Sequence, residues 1–66
     1  MTLNEIKEAV LSGQTVHWGS PAYIVVVDTQ GSWFIKCPGN GYCVGLTWAD
    51  GVTLNGNENE FFIANS

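Results

Sequence analysis

The chain has 66 residues, of which 45% are hydrophobic and 12% are charged. A disordered chain needs low hydrophobicity and high charge, so this composition predicts one folded domain, residues 1–66, close to the smallest size that folds on a single core. The formal net charge is −4, from two basic and six acidic side chains. Two cations cannot neutralise a track of phosphates, so binding to a DNA or RNA backbone is not expected.

The sequence carries no signal for a membrane or for secretion. Its longest apolar run, Tyr23–Val27, is far too short to cross a bilayer. No basic start followed by an apolar stretch marks a secretory signal peptide. We therefore expect a cytoplasmic protein with reduced thiols.

The N-terminal segment carries the signals that begin and end a helix. Thr2 and Glu5 have the spacing of a capping box, in which each side chain accepts a hydrogen bond from the backbone N–H of the other residue. Gly13 stands where a left-handed residue commonly ends a helix. Between these signals the apolar residues share one face: Leu3, Ile6, Ala9 and Val10. The pattern predicts a helix over residues 3–12.

After Gly13 the pattern changes from helix to strand. The predicted strands, in chain order, are Thr15–Trp18, Ala22–Asp28, Ser32–Cys37, Tyr42–Trp48, Val52–Leu54 and Glu60–Ile63. Thr29–Gly31 has the composition of a three-residue hairpin loop, and Pro38–Gly41 that of the next turn. The predicted fold class is therefore α+β, with one N-terminal helix packed on a twisted antiparallel sheet of about four to six strands.

The two hairpin turns predict one consistent register. Pairing Asp28 with Ser32 and Cys37 with Tyr42 places ten residues on one side of the sheet. They are Tyr23, Val25, Val27, Trp33, Ile35, Cys37, Tyr42, Val44, Leu46 and Trp48. A slip of one residue would scatter this set over both faces, so we assign it to the core beneath the helix.

The opposite side of the predicted sheet carries Ile24, Val26, Asp28, Phe34, Lys36, Cys43, Gly45 and Thr47. Within this set Ile24, Val26 and Phe34 form an apolar patch. Either the sheet curls around the patch or the C-terminal segment covers it, or the patch is a contact surface for a dimer or a protein partner. Trp18, at a strand end, is a further candidate anchor, since Trp is enriched at interface hot spots. We expect the contact surface to comprise Trp18, Ile24, Val26 and Phe34.

The sequence offers little catalytic chemistry. The predicted register places Cys37 and Cys43 on opposite faces, so we expect two free cysteines. His17 alternates away from its apolar neighbours, and its spacing from the cysteines does not match a structural zinc site. We expect no cofactor and no metal. A thiol-based enzyme or redox protein that uses Cys43 and His17 is one alternative.

The order of several short motifs provides a resemblance. Leu3–Lys7, Ala9-Val10, Gly13 and Val16–Trp18 are followed by Gly45–Trp48 and Asp50–Gly56. This order, over most of the chain, resembles small uncharacterised proteins carried by bacteriophages and plasmids. The resemblance implies a mobile-element context, in which small non-enzymatic proteins often bind host machinery. It implies no activity and no site residue.

Taken together, the residues predict a small acidic, non-enzymatic protein-binding module, which the resemblance would make a phage or plasmid accessory factor. Its expected partner is another protein or a second copy of itself in a homodimer. Besides the thiol-based enzyme, an acidic mimic of nucleic acid or a single-strand nucleic-acid binder is the remaining alternative. The six acidic side chains are scattered, which is a weak pattern for mimicry.

Overall fold

A computed structural model describes residues 1–63 as one helix and a five-stranded antiparallel sheet. The elements are α1 (Leu3–Leu11), β1 (Val16–Trp18), β2 (Ser20–Val27), β3 (Trp33–Cys37), β4 (Tyr42–Gly45), a 3-10 helix (Glu58–Glu60) and β5 (Phe61–Ile63). The strands lie in the order β4-β3-β2-β1-β5, so β2 is central and β4 and β5 are the edges. The helix packs on β1 and β2, which confirms the predicted α+β fold.

The predicted helix is confirmed, and it ends one residue earlier than expected. At its start, Thr2 donates its backbone N–H to Glu5 Oε1 at 2.8 Å, and Glu5 returns a backbone N–H to Thr2 Oγ1 at 3.2 Å. At its end, Gly13 has φ +95°, and the backbone N–H of Gln14 donates to the carbonyl of Ala9 at 2.9 Å. The two caps satisfy backbone groups that a helix leaves unpaired at its ends.

The predicted hairpin register is also confirmed. Val25 lies opposite Ile35, and Ile35 lies opposite Val44 on its other side. The first hairpin closes through the backbone N–H of Asp28, which donates to the carbonyl of Ser32 at 2.9 Å. Turn chemistry and apolar alternation therefore agree on one pairing, as a well-specified register requires.

The core lies between the sheet and the helix. Its buried members are Ile6, Ala9, Val16, Val25, Ile35, Leu46 and Phe61. The segment that follows β4 covers the rest of this layer, since Leu54 packs against the core and Asn55 donates its backbone N–H to the Leu46 carbonyl at 2.8 Å. Because strand side chains alternate, the intervening residues face away from the helix.

The prediction that Trp48 packs in the core is wrong, because its side chain is 63% exposed. β4 ends earlier than expected. The N–H of Leu46 still donates to β3, but its carbonyl accepts from Asn55, and Thr47 pairs with Leu54 instead of with β3. The chain therefore leaves the sheet at this point and carries Trp48 into a loop.

Other element boundaries differ from the prediction by smaller amounts. Tyr42, also assigned to the core, is 38% exposed because it lies on an edge strand. The predicted strand Val52–Leu54 is reduced to a single bridging residue, and Glu60 closes the 3-10 helix instead of opening β5. Pro21 lies within β2, since the connection from β1 is a tight turn at Gly19 with φ +74°.

Candidate functional site

No helix or strand among residues 1–63 packs on the face of the sheet turned away from α1, which we call the outer face. Its side chains form two rows across the strands: Phe62, His17, Ile24, Lys36 and Cys43 in the first, and Val26, Phe34 and Gly45 in the second. Gly45 lies opposite Phe34, as the predicted register requires. The outer face is therefore largely apolar, with one cation near its margin.

Three of the four predicted contact residues come together on the outer face. Ile24, Val26 and Phe34 are neighbours on β2 and β3, and each is half-buried instead of enclosed in the core. β5 lies beside β1 instead of across the patch, and it adds Phe62, which is 39% exposed. Sequence reasoning missed Phe62, because its face depends on a pairing between the two ends of the chain.

Trp18, the fourth predicted contact residue, lies on the opposite side of the sheet. Its half-buried indole packs edge-on against Tyr23, with ring centroids 5.5 Å apart, and near Phe61 at 6.4 Å. The indole nitrogen is fully buried beneath Gly56 and has no hydrogen-bond partner among the described residues. Trp18 therefore contributes to the core layer and cannot act together with the outer face.

His17 is 8% exposed and hydrogen-bonded. Its Nδ1 lies 3.1 Å from the carbonyl oxygen of Tyr23. A carbonyl can only accept, so Nδ1 carries the proton in this contact. The imidazole also packs against Phe62, with ring centroids 5.3 Å apart. These contacts give His17 a structural role in joining β1, β2 and β5.

The two cysteines are free, as predicted, and lie on opposite faces of the sheet. Cys37 is buried and Cys43 is exposed. Although Cys43 shares a row with His17, two strands separate them, and three strand spacings amount to roughly 14 Å. That separation is too long for direct proton transfer. Nowhere in residues 1–63 do three His, Cys, Asp or Glu side chains form a group that could hold a metal ion.

Two carboxylates are engaged by nearby hydrogen-bond donors. Hydrogen bonds from the backbone and then the side chain of Thr2 lower the pKa of Glu5 below its usual value. The hydroxyl and backbone N–H of Thr53, followed by the N–H of Val52, lower the pKa of Asp50 in the same way. Both acids stay ionised to cap local structure, which is the opposite of the raised pKa that a general acid needs.

The two lysines lie on opposite sides of the sheet. Lys36 belongs to the outer face, whereas the ammonium of Lys7 lies on the helix side, 5.6 Å from the ring centroid of Trp33. A backbone-binding surface for nucleic acid needs several cations on one side. The described residues provide no such surface.

A cleft on the helix side was not anticipated from the sequence. It has a volume of about 340 Å³ and is lined by Lys7, Trp33 and the exposed Trp48, among other residues. The sequence did not predict this cleft, because the alternation of apolar residues assigned both Trp33 and Trp48 to the core. Only the early departure of the chain from β4 exposes Trp48 here.

Comparisons with protein-family models, with curated proteins and with solved structures found no match for this chain. Within residues 1–63, the one α-helix is too short to pass through a bilayer.

Proposed function

We propose that the protein is a small acidic, non-enzymatic protein-binding module whose outer face pairs with a second copy of the chain. The observation that carries this proposal is the apolar patch of Ile24, Val26, Phe34 and Phe62, on which no helix or strand among residues 1–63 packs. Contiguous apolar patches of this kind commonly mark interaction sites, whereas apolar residues scattered singly do not. Two such faces would pack as the two layers of a β-sandwich.

The position of the patch suits a symmetric contact. Ile24 and Val26 lie on β2, the middle strand of five, and Phe34 lies one strand away. A two-fold axis near β2 would bring the same residues of both copies together at the centre of the contact. Residues that dominate binding energy cluster at such centres, where neighbouring contacts exclude water.

The charge distribution favours a second copy as the occupant. Two chains with a net charge of −4 repel each other, so their contact must keep carboxylates apart. Within the paired strands the outer face carries Lys36 and no carboxylate. Asp28 follows the end of β2, and its carboxylate accepts the backbone N–H groups of Gln30 and Ser32 at 2.9 and 2.8 Å. The paired strands of the outer face therefore bring no carboxylate into a contact between two copies.

Sedimentation equilibrium of the wild-type chain and of Phe34→Glu, over a wide concentration range, tests this proposal. We expect a wild-type dimer, and a mutant that is folded by circular dichroism but dissociates at least about tenfold more readily, because a charge replaces a central ring. Leu11→Glu is the matched control. It adds the same charge at a helix position that is 72% exposed, and it should leave the dimer intact.

If Phe34→Glu disturbs the fold, Ile24→Thr is the second variant to test. It should keep the pairing of β2, since Thr retains strand propensity. It should also weaken the dimer. A wild-type chain that stays monomeric at every concentration contradicts pairing with a second copy. In that case the outer face would be available for a different protein partner.

The remaining expectations stay predictions. The cytoplasmic location and the phage or plasmid context follow from the sequence alone. A thiol-based activity is not favoured by the separation of Cys43 from His17, and nucleic-acid binding is not favoured by lysines on opposite sides of the sheet.

A further inference from the structure

The cleft lined by Lys7, Trp33 and Trp48, which we call the tryptophan cleft, lies on the helix side, away from the outer face. Lys7 comes from α1, Trp33 from the start of β3 and Trp48 from the loop after β4. Ser32 and Thr47 also line it. Its volume of about 340 Å³ is at the lower end of the range for small-molecule sites. An open cleft of this size suits one or two side chains of a longer segment.

The loop that carries Trp48 is held by hydrogen bonds although the indole itself is exposed. The backbone N–H of Trp48 donates to the carbonyl of Thr53 at 2.9 Å, and its own carbonyl accepts the N–H of Gly51 at 2.9 Å. The Asp50 carboxylate accepts the N–H of Val52 at 3.0 Å and that of Thr53 at 2.9 Å. A ring presented on a rigid loop loses little conformational entropy when a partner binds.

Among the described residues that line the tryptophan cleft, Lys7 is the one with a charged side chain. The Lys7 ammonium lies over the Trp33 ring at 5.6 Å. The acids nearest to Lys7 along the chain are Glu5 and Glu8, and neither lines the cleft. The acids nearest to the two tryptophans, Asp28 and Asp50, do not line it either, and both point their carboxylates at backbone N–H groups. Lys7 therefore favours an anionic group and disfavours a cation beside Trp48.

We propose that the tryptophan cleft binds a segment of a partner protein in which an aromatic side chain neighbours an aspartate or glutamate. The aromatic ring would stack on the Trp48 indole, and the carboxylate would pair with Lys7. This proposal comes from a surface on the opposite side of the sheet, so it does not depend on self-association through the outer face.

Titration of the ¹⁵N-labelled protein with the peptide acetyl-Gly-Asp-Phe-Gly-amide, followed by NMR, tests this site. The three indole N–H signals, assigned with single Trp→Phe variants, report on the cleft separately from the core. We expect the Trp48 and Trp33 signals to move with a dissociation constant on the order of millimolar, while the buried Trp18 signal stays in place.

Matched peptides and variants separate the two contacts. The peptide acetyl-Gly-Asn-Phe-Gly-amide should bind about two- to fivefold more weakly, because one exposed ion pair is lost. Lys7→Gln should remove this difference, whereas Lys36→Gln, on the outer face, should preserve it. Trp48→Ala should weaken binding about tenfold or more.

Three results would overturn the proposal. If no indole signal moves at high peptide concentration, the cleft is not a site for this chemistry. If Trp18 moves together with the other two, the peptide binds without selecting the cleft. If the Asn and Asp peptides bind equally to the wild-type chain, Lys7 does not recognise a carboxylate. None of these results bears on dimerisation, which sedimentation measures by itself.

Discussion

Among the glycines of the described chain, Gly56 leaves the least room for a side chain, because it lies against Trp18. Gly56 has φ +136°, and a Cβ added there would lie 2.8 Å from Trp18 Nε1. That distance is shorter than any normal carbon–nitrogen contact, and φ in this range is strained for other residues. The glycine therefore allows the chain between the loop and the 3-10 helix to close over the indole.

Gly56→Ala should destabilise the fold by about 1–3 kcal/mol, since it combines backbone strain with a clash against the buried indole nitrogen of Trp18. Chemical denaturation measures this loss. Gly51→Ala measures the cost of a positive φ without a clash, because Gly51 has φ +74° and nothing within 4 Å of the added Cβ. Its φ lies nearer the left-handed helical region than that of Gly56, so its cost is the lower limit for backbone strain at Gly56. If Gly51→Ala costs as much as Gly56→Ala, the contact with Trp18 contributes nothing.

Asp50 stabilises the loop after β4, which the alternation of apolar residues did not predict. Its carboxylate organises the loop through the N–H groups of Val52 and Thr53, and Thr53 also donates its hydroxyl to Oδ2 at 2.5 Å. These donors favour the ionised form and lower the pKa of Asp50 in the folded state. The stabilisation is therefore complete above the unfolded-state pKa and is lost as pH falls through the lower folded-state pKa.

Asp50→Asn should lower the free energy of unfolding at neutral pH. The difference in free energy of unfolding between wild type and Asp50→Asn should become smaller as the pH falls towards about 2, because wild-type Asp50 is then protonated. Asn keeps one acceptor oxygen for the backbone N–H groups but cannot accept the Thr53 hydroxyl at its amide nitrogen. Urea denaturation between neutral and acid pH measures the difference in free energy of unfolding between the two proteins. If that difference stays constant with pH, the charge of Asp50 does not stabilise this loop.

Local signals account for the elements that sequence reasoning predicted correctly. The Thr2–Glu5 capping box sets the start of α1, and Gly31 with φ +85° closes the first hairpin. Each of these interactions spans a few residues, so the sequence displays it directly. The register through Ile35 then follows, because a single slip would expose the whole apolar set.

Long-range competition accounts for what the sequence could not predict. The alternation of apolar residues continues through Trp48. However, Asn55 donates its backbone N–H to the carbonyl of Leu46, and its side-chain amide donates to the carbonyl of Gly45 at 3.1 Å. These bonds end β4 and expose Trp48. The face of Phe62 likewise depends on the pairing of β5 with β1 across the whole chain. The patch on β2 and β3 was predictable, whereas the tryptophan cleft was not.

At the scale of the whole molecule, the sheet separates two candidate surfaces. The outer face lies on one side, and the tryptophan cleft lies with α1 on the other. A dimer built on the two outer faces would leave both clefts open and pointing away from each other. Such a dimer could bind two partner segments at once, and tethered partners would then gain affinity through avidity.

The two surfaces should act independently, because no residue contributes to both. We expect Phe34→Glu to leave the dissociation constant of the Asp-Phe peptide unchanged within about a factor of two, and Lys7→Gln to leave dimerisation unchanged. Coupling between two binding events is reciprocal, so the effect of dimerisation on peptide affinity must match the effect of peptide on dimerisation. NMR titration of the wild type and of Phe34→Glu gives the first effect, and sedimentation of the wild type with and without peptide gives the second. Sedimentation of Lys7→Gln tests whether Lys7 itself affects dimerisation. If peptide shifts the monomer–dimer equilibrium of the wild type, the core layer between the sheet and α1 transmits binding from one side to the other, and the two surfaces form one functional unit.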